Sequence, residues 1–328
     1  MARVLALSES DIAGILDLET CVPPVERAFA SFSRGASTVF PVVRERLGDG
    51  DGGIFGIKSA FAADEGWLGL KAGGYWERNR EKGIAPHQSS ILVIDPETGQ
   101  TTALVAANTI TWLRTGAVGA IAAKHLAPRH ATTAAVIGCG LQGQIQARAL
   151  MWALPDLTQL RYYDRSRDSV VAFGGALGAT SVELIAAAEV EAAVVGADVI
   201  VTTTPSWEPI VRAEWVGPEA HITAIGADTK GKNELDVDLF HRARVVVDDW
   251  TQASQIGESQ HAFGAGILSE ASVWAELGSI CAGTRPGRGD YDGLTIFDST
   301  GIALQDLAVA GVAVNAAIDR GVGTWLEL

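Results

Sequence analysis

Residues 136–143 read Val136-Ile137-Gly138-Cys139-Gly140-Leu141-Gln142-Gly143, and their reading decides the fold. They form G-x-G-x-x-G directly after the apolar run TTAAVIG and directly before the helical pattern QGQIQARALMWAL. In that setting the first glycine permits a tight turn and the second lets the backbone approach a pyrophosphate. The third lets helix and strand pack closely, with the helix N-terminus facing the phosphates. The next strand-like run, LRYYD, ends in Asp164, about 21 residues after Gly143, near the ~20 of the dinucleotide fingerprint. A bare glycine turn with a capping aspartate would leave the same letters, but the strand–helix–strand setting argues against it. A carboxylate at Asp164 accepts hydrogen bonds from ribose hydroxyls and repels a 2′-phosphate, which favours NAD(H). Arg165 and Arg167 follow at once and keep NADP open.

Outward from this stretch the texture on either side differs. From about residue 131, apolar β-branched runs (QLRYYD, ATSVELI, ADVIVTTT, HITAIGA, ARVVVDD, LTIFDS) alternate with helical patterns. That alternation argues a parallel sheet covered on both faces, an α/β Rossmann-type doubly wound domain over residues 126–301. Residues 1–125 instead read as α+β with a mostly antiparallel sheet. SDIAGILDLETCVPPVERAFASF predicts one or two helices, with Pro23-Pro24 opening the second. The strand-like runs VFPVVRERL, GGIFGIKSAF, GWLGLKAGG and SSILVIDPETGQTTALVAA follow, with a hairpin turn at Pro96-Glu97-Thr98-Gly99. The apolar helix GIALQDLAVAGVAVNAAIDRG is expected to pack back on this first domain. That would make the substrate domain discontinuous, 1–125 plus 302–328.

The chain has 328 residues and a formal net charge of −14, from 25 Lys+Arg against 39 Asp+Glu. Such a surface repels nucleic acid and anionic lipid, so neither is expected as a partner. No run approaches the ~18 apolar residues of a membrane span, and the N-terminal run MARVLALSESD is too short for a signal peptide. Cys21, Cys139 and Cys281 are widely spaced without C-x-x-C, so no disulfide frame and no metal site is expected, and the location is read as cytoplasmic.

Against that global charge, several cations stand in apolar runs. Lys71 ends GWLGLKAGG, Lys58 lies in IFGIKSAF, Arg44 follows FPVV, and Arg114 lies in TITWLRTGAV. Lysine and arginine are almost never buried without a partner. One such residue is explained by a snorkelling stem; four together point to an anion pocket whose missing partner is a substrate carboxylate. Ala72-Gly73-Gly74 would leave room beside Lys71. His87, in APHQSS, is a lesser polar candidate. Hydroxyls at Thr202-Thr203-Thr204 end a strand at the crevice. Asp228, in ITAIGADTKGKNELD, follows a strand ending at the same edge and is a candidate proton donor or relay, with a turn-capping aspartate an equal reading.

The segments GLK at 69–71, TWLRTGAVGAIAAKHLA at 111–127, GCGLQG at 138–143, IGADTKGKNELD at 225–236, VVVDD with QIGE within 245–258, and TIFDSTGIALQDLAVA at 295–310 together resemble the ornithine cyclodeaminase/μ-crystallin family over nearly the whole chain. The resemblance implies an NAD(P)-dependent homodimer acting on small imino or amino acids, with the N-terminal part and the final helix forming the substrate and dimerisation domain. Carried over by motif, Arg44, Lys71 and Arg114 would hold an α-carboxylate, with Thr300 and Gly301 near the substrate. Asp228 would donate the proton, Lys71 sharing in the chemistry. Gly138, Gly140, Leu141, Gln142, Gly143, Asp164, Thr204, Lys232 and Ser299 would line the dinucleotide. Cyclodeaminases of the family carry a glutamate and then a methionine where this chain has Gly56 and Lys58. The loss of an acid and gain of a cation speak against ornithine and for a second substrate carboxylate. The run FPVVRERL…GIFGIKSAF…GLKAGGYW is most similar to members that reduce iminosuccinate to L-aspartate. The alternatives are ornithine cyclodeaminase, alanine dehydrogenase or ketimine reductase activity, or a non-catalytic dinucleotide-binding role.

Overall fold

The computed structural model describes residues 3–48 and 52–327; Met1 and Ala2 of the N-terminal apolar run lie outside them. The chain divides into two compact units, Met1–Arg114 with Ile302–Leu328, and Thr115–Gly301. The division falls inside a helix rather than at the expected 125/126. The alanine-rich half of that helix already belongs to the second unit's core: Ala123 and Ala127 pack there, and the Thr115 carbonyl accepts a hydrogen bond from Gln146 Nε2 at 2.7 Å. Among the described residues no helix is long and apolar enough to cross a membrane.

The first unit opens with β1 (Arg3–Leu7), α1 (Glu9–Ile15) and α2 (Leu18–Ser33). Ser8 and Asp17 cap the two helices through reciprocal bonds with Asp11 and Thr20. Pro23 and Pro24 therefore sit inside α2 instead of opening it, because Asp17 supplies the N-terminal signal six residues before Pro23. β2 (Ser37–Val39), β3 (Val43–Arg46), β4 (Ile54–Ala62), β5 (Trp67–Tyr75), β6 (His87–Ile94) and β7 (Thr101–Ala106) follow, then α3 (Asn108–Leu126). The sheet is antiparallel from β2 and β3 to β7, while β1 pairs parallel with β7. Its register places Arg44 opposite Gly56, Gly56 opposite Gly73, and Gly73 opposite Ser89. The next row on the same face puts Lys58 opposite Lys71 and Lys71 opposite Ile91. Alternation turns Ala72 and Gly74 to the other face, so of residues 72–74 only Gly73 shares a face with Lys71.

In the second unit, β8 (Thr133–Ile137), α4 (Leu141–Ala153), β9 (Gln159–Tyr163), α5 (Arg167–Leu177), β10 (Glu183–Ala186), α6 (Val190–Val194) and β11 (Val199–Thr202) lead to β12 (Trp207–Val211), β13 (His221–Ala224), β14 (Asn233–Leu235) and β15 (Arg244–Val247). α7 (Trp250–Ile256), α8 (Ser259–Gly264), β16 (Ala275–Glu276), α9 (Leu277–Cys281) and β17 (Thr295–Asp298) complete it. All pairs are parallel in the order β10-β9-β8-β11-β13-β17-β15-β16. The winding reverses between β8 and β11, the position at which doubly wound sheets bind dinucleotides. The central β8 is apolar on both sides: Ala134 and Val136 feed one core and Ala135 and Ile137 the other. The two-stranded ribbon of β12 and β14 is not legible in the alternation pattern.

The chain then returns to the first unit. α10 (Ala303–Arg320) packs on the sheet, Leu307 against Gly69 and Gly311 against the Trp67 indole. β18 (Thr324–Glu327) pairs antiparallel with β1, and the Arg3 guanidinium lies 4.7 Å from the Trp325 ring centre.

Candidate active site

In the first unit the cations of the sequence analysis converge. Lys71 on β5 and Arg114 in the second turn of α3 are both buried, at 9% and 8% exposure. They share one carboxylate oxygen: Asp306 Oδ1 accepts from Lys71 Nζ at 2.7 Å and from Arg114 Nε at 3.1 Å. Arg114 also donates to Gln305 Oε1 at 2.7 Å, and Lys71 to the Thr111 hydroxyl at 3.2 Å. Among the described residues Asp306 Oδ2 and Gln305 Nε2 have no hydrogen-bond partner.

Burial and charge shift each titratable group of this cluster. Burial pushes Lys71 down to about 7; Asp306 opposes the shift, and the charges of Arg114 and Lys58 reinforce it. Burial works to raise Asp306, but Lys71 and Arg114 outweigh it and hold the carboxyl below its usual range. Burial and the charges of Lys71 and Arg114 push His87 down to about 4, so it is neutral near pH 7. The Asp306 carboxylate thus feels Lys71, Arg114 and Lys58 together. Arg44 lies one cross-strand row away on the same face, half-buried.

In the second unit the glycine loop has the geometry its spacing requires. Gly138 has φ +105, and a Cβ there would lie 2.6 Å from Thr203 Oγ1. A Cβ at Gly143 would collide with the Gly138 carbonyl oxygen, while Gly140 faces open space. α4 starts with no side-chain cap at Gly140, the kind of helix N-terminus that suits an anion. Leu141, in that turn, is 67% exposed, and Gln142 is half-buried beside it. Asp164 Oδ2 accepts from the Cys139 N–H at 2.9 Å and Oδ1 from the Ser166 N–H at 2.8 Å. Each oxygen keeps a lone pair for a ribose hydroxyl.

At the carboxyl edge of the same sheet, Asp228 Oδ1 accepts from Lys232 Nζ at 2.7 Å, and Lys232 also reaches the Gly226 carbonyl at 3.3 Å. Lys232, expected along the dinucleotide, thus orients the candidate proton donor. Thr204 gives both its N–H and its hydroxyl to Glu234 Oε1, at 2.5 and 2.7 Å. Ser299, Thr300 and Gly301 are all held by the Asp248 carboxylate, at 3.4, 2.9 and 2.5 Å.

Asp306, Gln305, Glu234 and Asp248 were not singled out in the sequence. A signal existed for the first two: a Gln-Asp pair interrupts the apolar helix IALQDLAVA, and a buried acid needs a partner.

A model of the ornithine cyclodeaminase/mu-crystallin family matches residues 3–320. The chain is 40% identical over 336 residues to the iminosuccinate reductase of Paracoccus denitrificans (strain Pd 1222), covering 99% of this chain and 100% of that protein. The crystal structure of that Paracoccus denitrificans enzyme in complex with NAD+ superposes with a TM-score of 0.91 over 99% of this chain and 100% of that one. An archaeal alanine dehydrogenase dimer with bound NAD superposes with a TM-score of 0.93 at 35% identity, covering 99% of each chain.

Proposed function

The chain belongs to the ornithine cyclodeaminase/mu-crystallin family, and we propose that within it the chain is an NAD-dependent imine reductase that converts iminosuccinate to aspartate. A bound reduced nicotinamide would supply hydride to the imine carbon, with the C=N π pair moving to nitrogen and nitrogen taking a proton. The products are the amine and the oxidised nicotinamide.

The observation that carries the dicarboxylate reading is the pairing of Lys58 with Lys71 on adjacent strands. Like charges directly opposite one another destabilise a sheet unless an anion bridges them. Asp306 answers for Lys71 and Arg114. A substrate with one carboxylate toward Arg44, Lys71 and Arg114 and a second toward Lys58 would match this row of cations. Gly56 leaves no acid for the distal amine of a diamine, which weighs against ornithine.

In this reading the cations hold the substrate in a near-attack pose. Asp228, oriented by Lys232, supplies or relays the proton. A bound carboxylate returns the Lys71 ammonium to its charged form. Neutral His87 adds a polar group without cancelling the positive charge. The Gly138–Gly143 loop, the α4 N-terminus and Asp164 would hold the dinucleotide, with Thr204 and Ser299 along the same edge and Thr300-Gly301 toward the substrate. NADH chemistry in the cytoplasm fits this assignment. A homodimer is supported by the dimeric archaeal relative and by the exposed apolar side chains Phe40, Val43 and Leu47 around β3. Sedimentation equilibrium tests it, and a monomer at micromolar concentration would remove it.

The deciding experiment follows NADH oxidation with oxaloacetate plus ammonia against pyruvate plus ammonia. Faster turnover of oxaloacetate supports the reading. Equal or faster turnover of pyruvate would assign the chain an alanine dehydrogenase activity instead.

A further inference from the structure

We propose that Glu234 is a positioning residue of the dinucleotide site, whose buried carboxylate ties the end of β11 to the loop after β13 and thereby fixes Thr204 and Asp228. This rests on the reading that a nicotinamide cofactor binds at the carboxyl edge of this sheet.

Glu234 is fully buried, at 0% exposure. It accepts four hydrogen bonds, two on each oxygen. Oε1 takes the Thr204 N–H at 2.5 Å and the Thr204 hydroxyl at 2.7 Å; Oε2 takes the Thr202 hydroxyl at 2.8 Å and the Gly226 N–H at 2.9 Å. Thr202 and Thr204 stand at the end of β11. Gly226 lies two residues before Asp228, in the loop that leaves β13. A Cβ at Gly226 would lie 2.5 Å from Glu234 Oε2, so only glycine lets this loop come close enough to donate.

Glu234 is itself held in place. Glu258 Oε1 accepts the Glu234 N–H at 2.6 Å and Oε2 the Leu235 N–H at 3.2 Å. Asp298, at the end of β17, accepts the N–H groups of Glu258 at 3.1 Å and Ser259 at 2.8 Å. Each carboxylate clamps the segment that carries the next one, and the last clamps the two strand ends beside the cofactor loops. Burial and the neighbouring charges of Glu234 and Asp298 push Glu258 well up. Burial raises Glu234 as well, but its four donors, two N–H groups and two hydroxyls, oppose the shift, against two N–H donors at Glu258, so the ionised role falls to Glu234.

Two of the four donors to Glu234 are backbone N–H groups, one at each oxygen, and neither can turn into an acceptor. A glutamine amide would set its NH2 against one of them in either orientation. Glu234→Gln is therefore a near-isosteric change that breaks the clamp.

The test titrates NADH by fluorescence and follows amide hydrogen exchange. In Glu234→Gln the NADH Kd is expected to rise at least tenfold. Exchange is expected to accelerate at residues 203–206 and 225–229 while the β11 and β13 interiors keep wild-type rates. A folded variant with an NADH Kd within twofold of wild type overturns the proposal. Should Glu234→Gln fail to fold, Thr202→Val, which deletes one donor to Oε2, is read instead. A rise of about threefold in Kd supports the proposal and an unchanged Kd overturns it. No substrate is present, so the outcome is independent of the iminosuccinate assignment. A wild-type chain that does not bind NADH would overturn the cofactor reading together with this one.

Discussion

Exchanging Asp306 for asparagine removes the carboxylate that Lys71 and Arg114 share without changing the side chain's size. At the 2.7 Å separation of Lys71 and Asp306 and an effective dielectric of about 20, their attraction is roughly 6 kcal/mol before desolvation is counted. One pKa unit corresponds to about 1.4 kcal/mol, so even half that attraction is worth ~2 units. Lys71 already stands at about 7, and in Asp306→Asn it falls to roughly 5. The assay is initial-rate NADH oxidation with oxaloacetate and ammonia between about pH 5.5 and 8.5. Taking the wild-type to variant ratio of kcat/KM at each pH cancels the titration of ammonia and of the imine, and kcat/KM reports groups of the free enzyme. With a lysine that must be charged to hold the substrate, the protonated fraction at pH 8 drops from ~10% to ~0.1%, a ratio of ~100; at pH 5.5 the ratio shrinks to ~4. A ratio that stays constant across this range, in protein of unchanged circular dichroism, would refute the claim that Asp306 acts through the charge of Lys71. Breaking a buried pair also costs ~3–5 kcal/mol of stability, so the variant is compared well below its unfolding temperature.

Three further outcomes are expected. Lys58→Met should raise the KM for the imino dicarboxylate by ~10–100-fold, the ~1.5–3 kcal/mol of a charged hydrogen bond, and leave the pyruvate reaction unchanged; an equal loss on both substrates would count against Lys58 as the distal anchor. Gly143→Ala drives a Cβ into the Gly138 carbonyl, so it should cost ~1–3 kcal/mol in urea unfolding and weaken NADH binding by calorimetry; a wild-type midpoint and affinity would contradict the loop geometry. His221 is fully buried between the Thr295 and Thr223 hydroxyls and is pushed down to about 3, by burial first and then by the Arg288 charge. Its folded pKa lies below its unfolded value, so the unfolded chain binds more protons and this stability is present above pH ~6.5 and lost as pH falls. Asp298, raised to about 7 chiefly by burial, acts in the opposite sense, so the readout is differential: the stability of wild type relative to His221→Gln should drop by ~3 kcal/mol between pH 7 and 4. A pH-independent difference in urea midpoints would contradict it.

Local signals carried most of the second unit. Glycine spacing, the alternation of apolar runs and the acid at Asp164 are read within about thirty residues, and each is a backbone or periodicity constraint that the neighbouring residues express directly. The same holds for the Pro96–Gly99 turn and for the basic residues of the first unit, conspicuous because cations are rare in apolar strands. Readings that depended on exact placement did less well. Pro23-Pro24 looked like a helix start because proline is common there, but Asp17 had already capped α2. The boundary at 125/126 followed texture, whereas α3 changes units where its packing partners change.

By itself, then, the sequence determined that a dinucleotide-type βαβ unit is present and that this acidic chain places lysine and arginine within apolar runs. Tertiary structure alone decided what those cations do. Lys71 meets Asp306 across 235 residues of chain and Arg114 meets it across 192. Lys58 faces Lys71 only because β4 and β5 pair in one register out of several that their composition would allow. The chain of carboxylates from Asp298 to Glu234 likewise joins strand ends that are distant in sequence. The reason is physical: backbone preference and periodicity act between neighbours along the chain, but a charge responds to distance in space and to the water removed around it, and both exist only once the chain has folded.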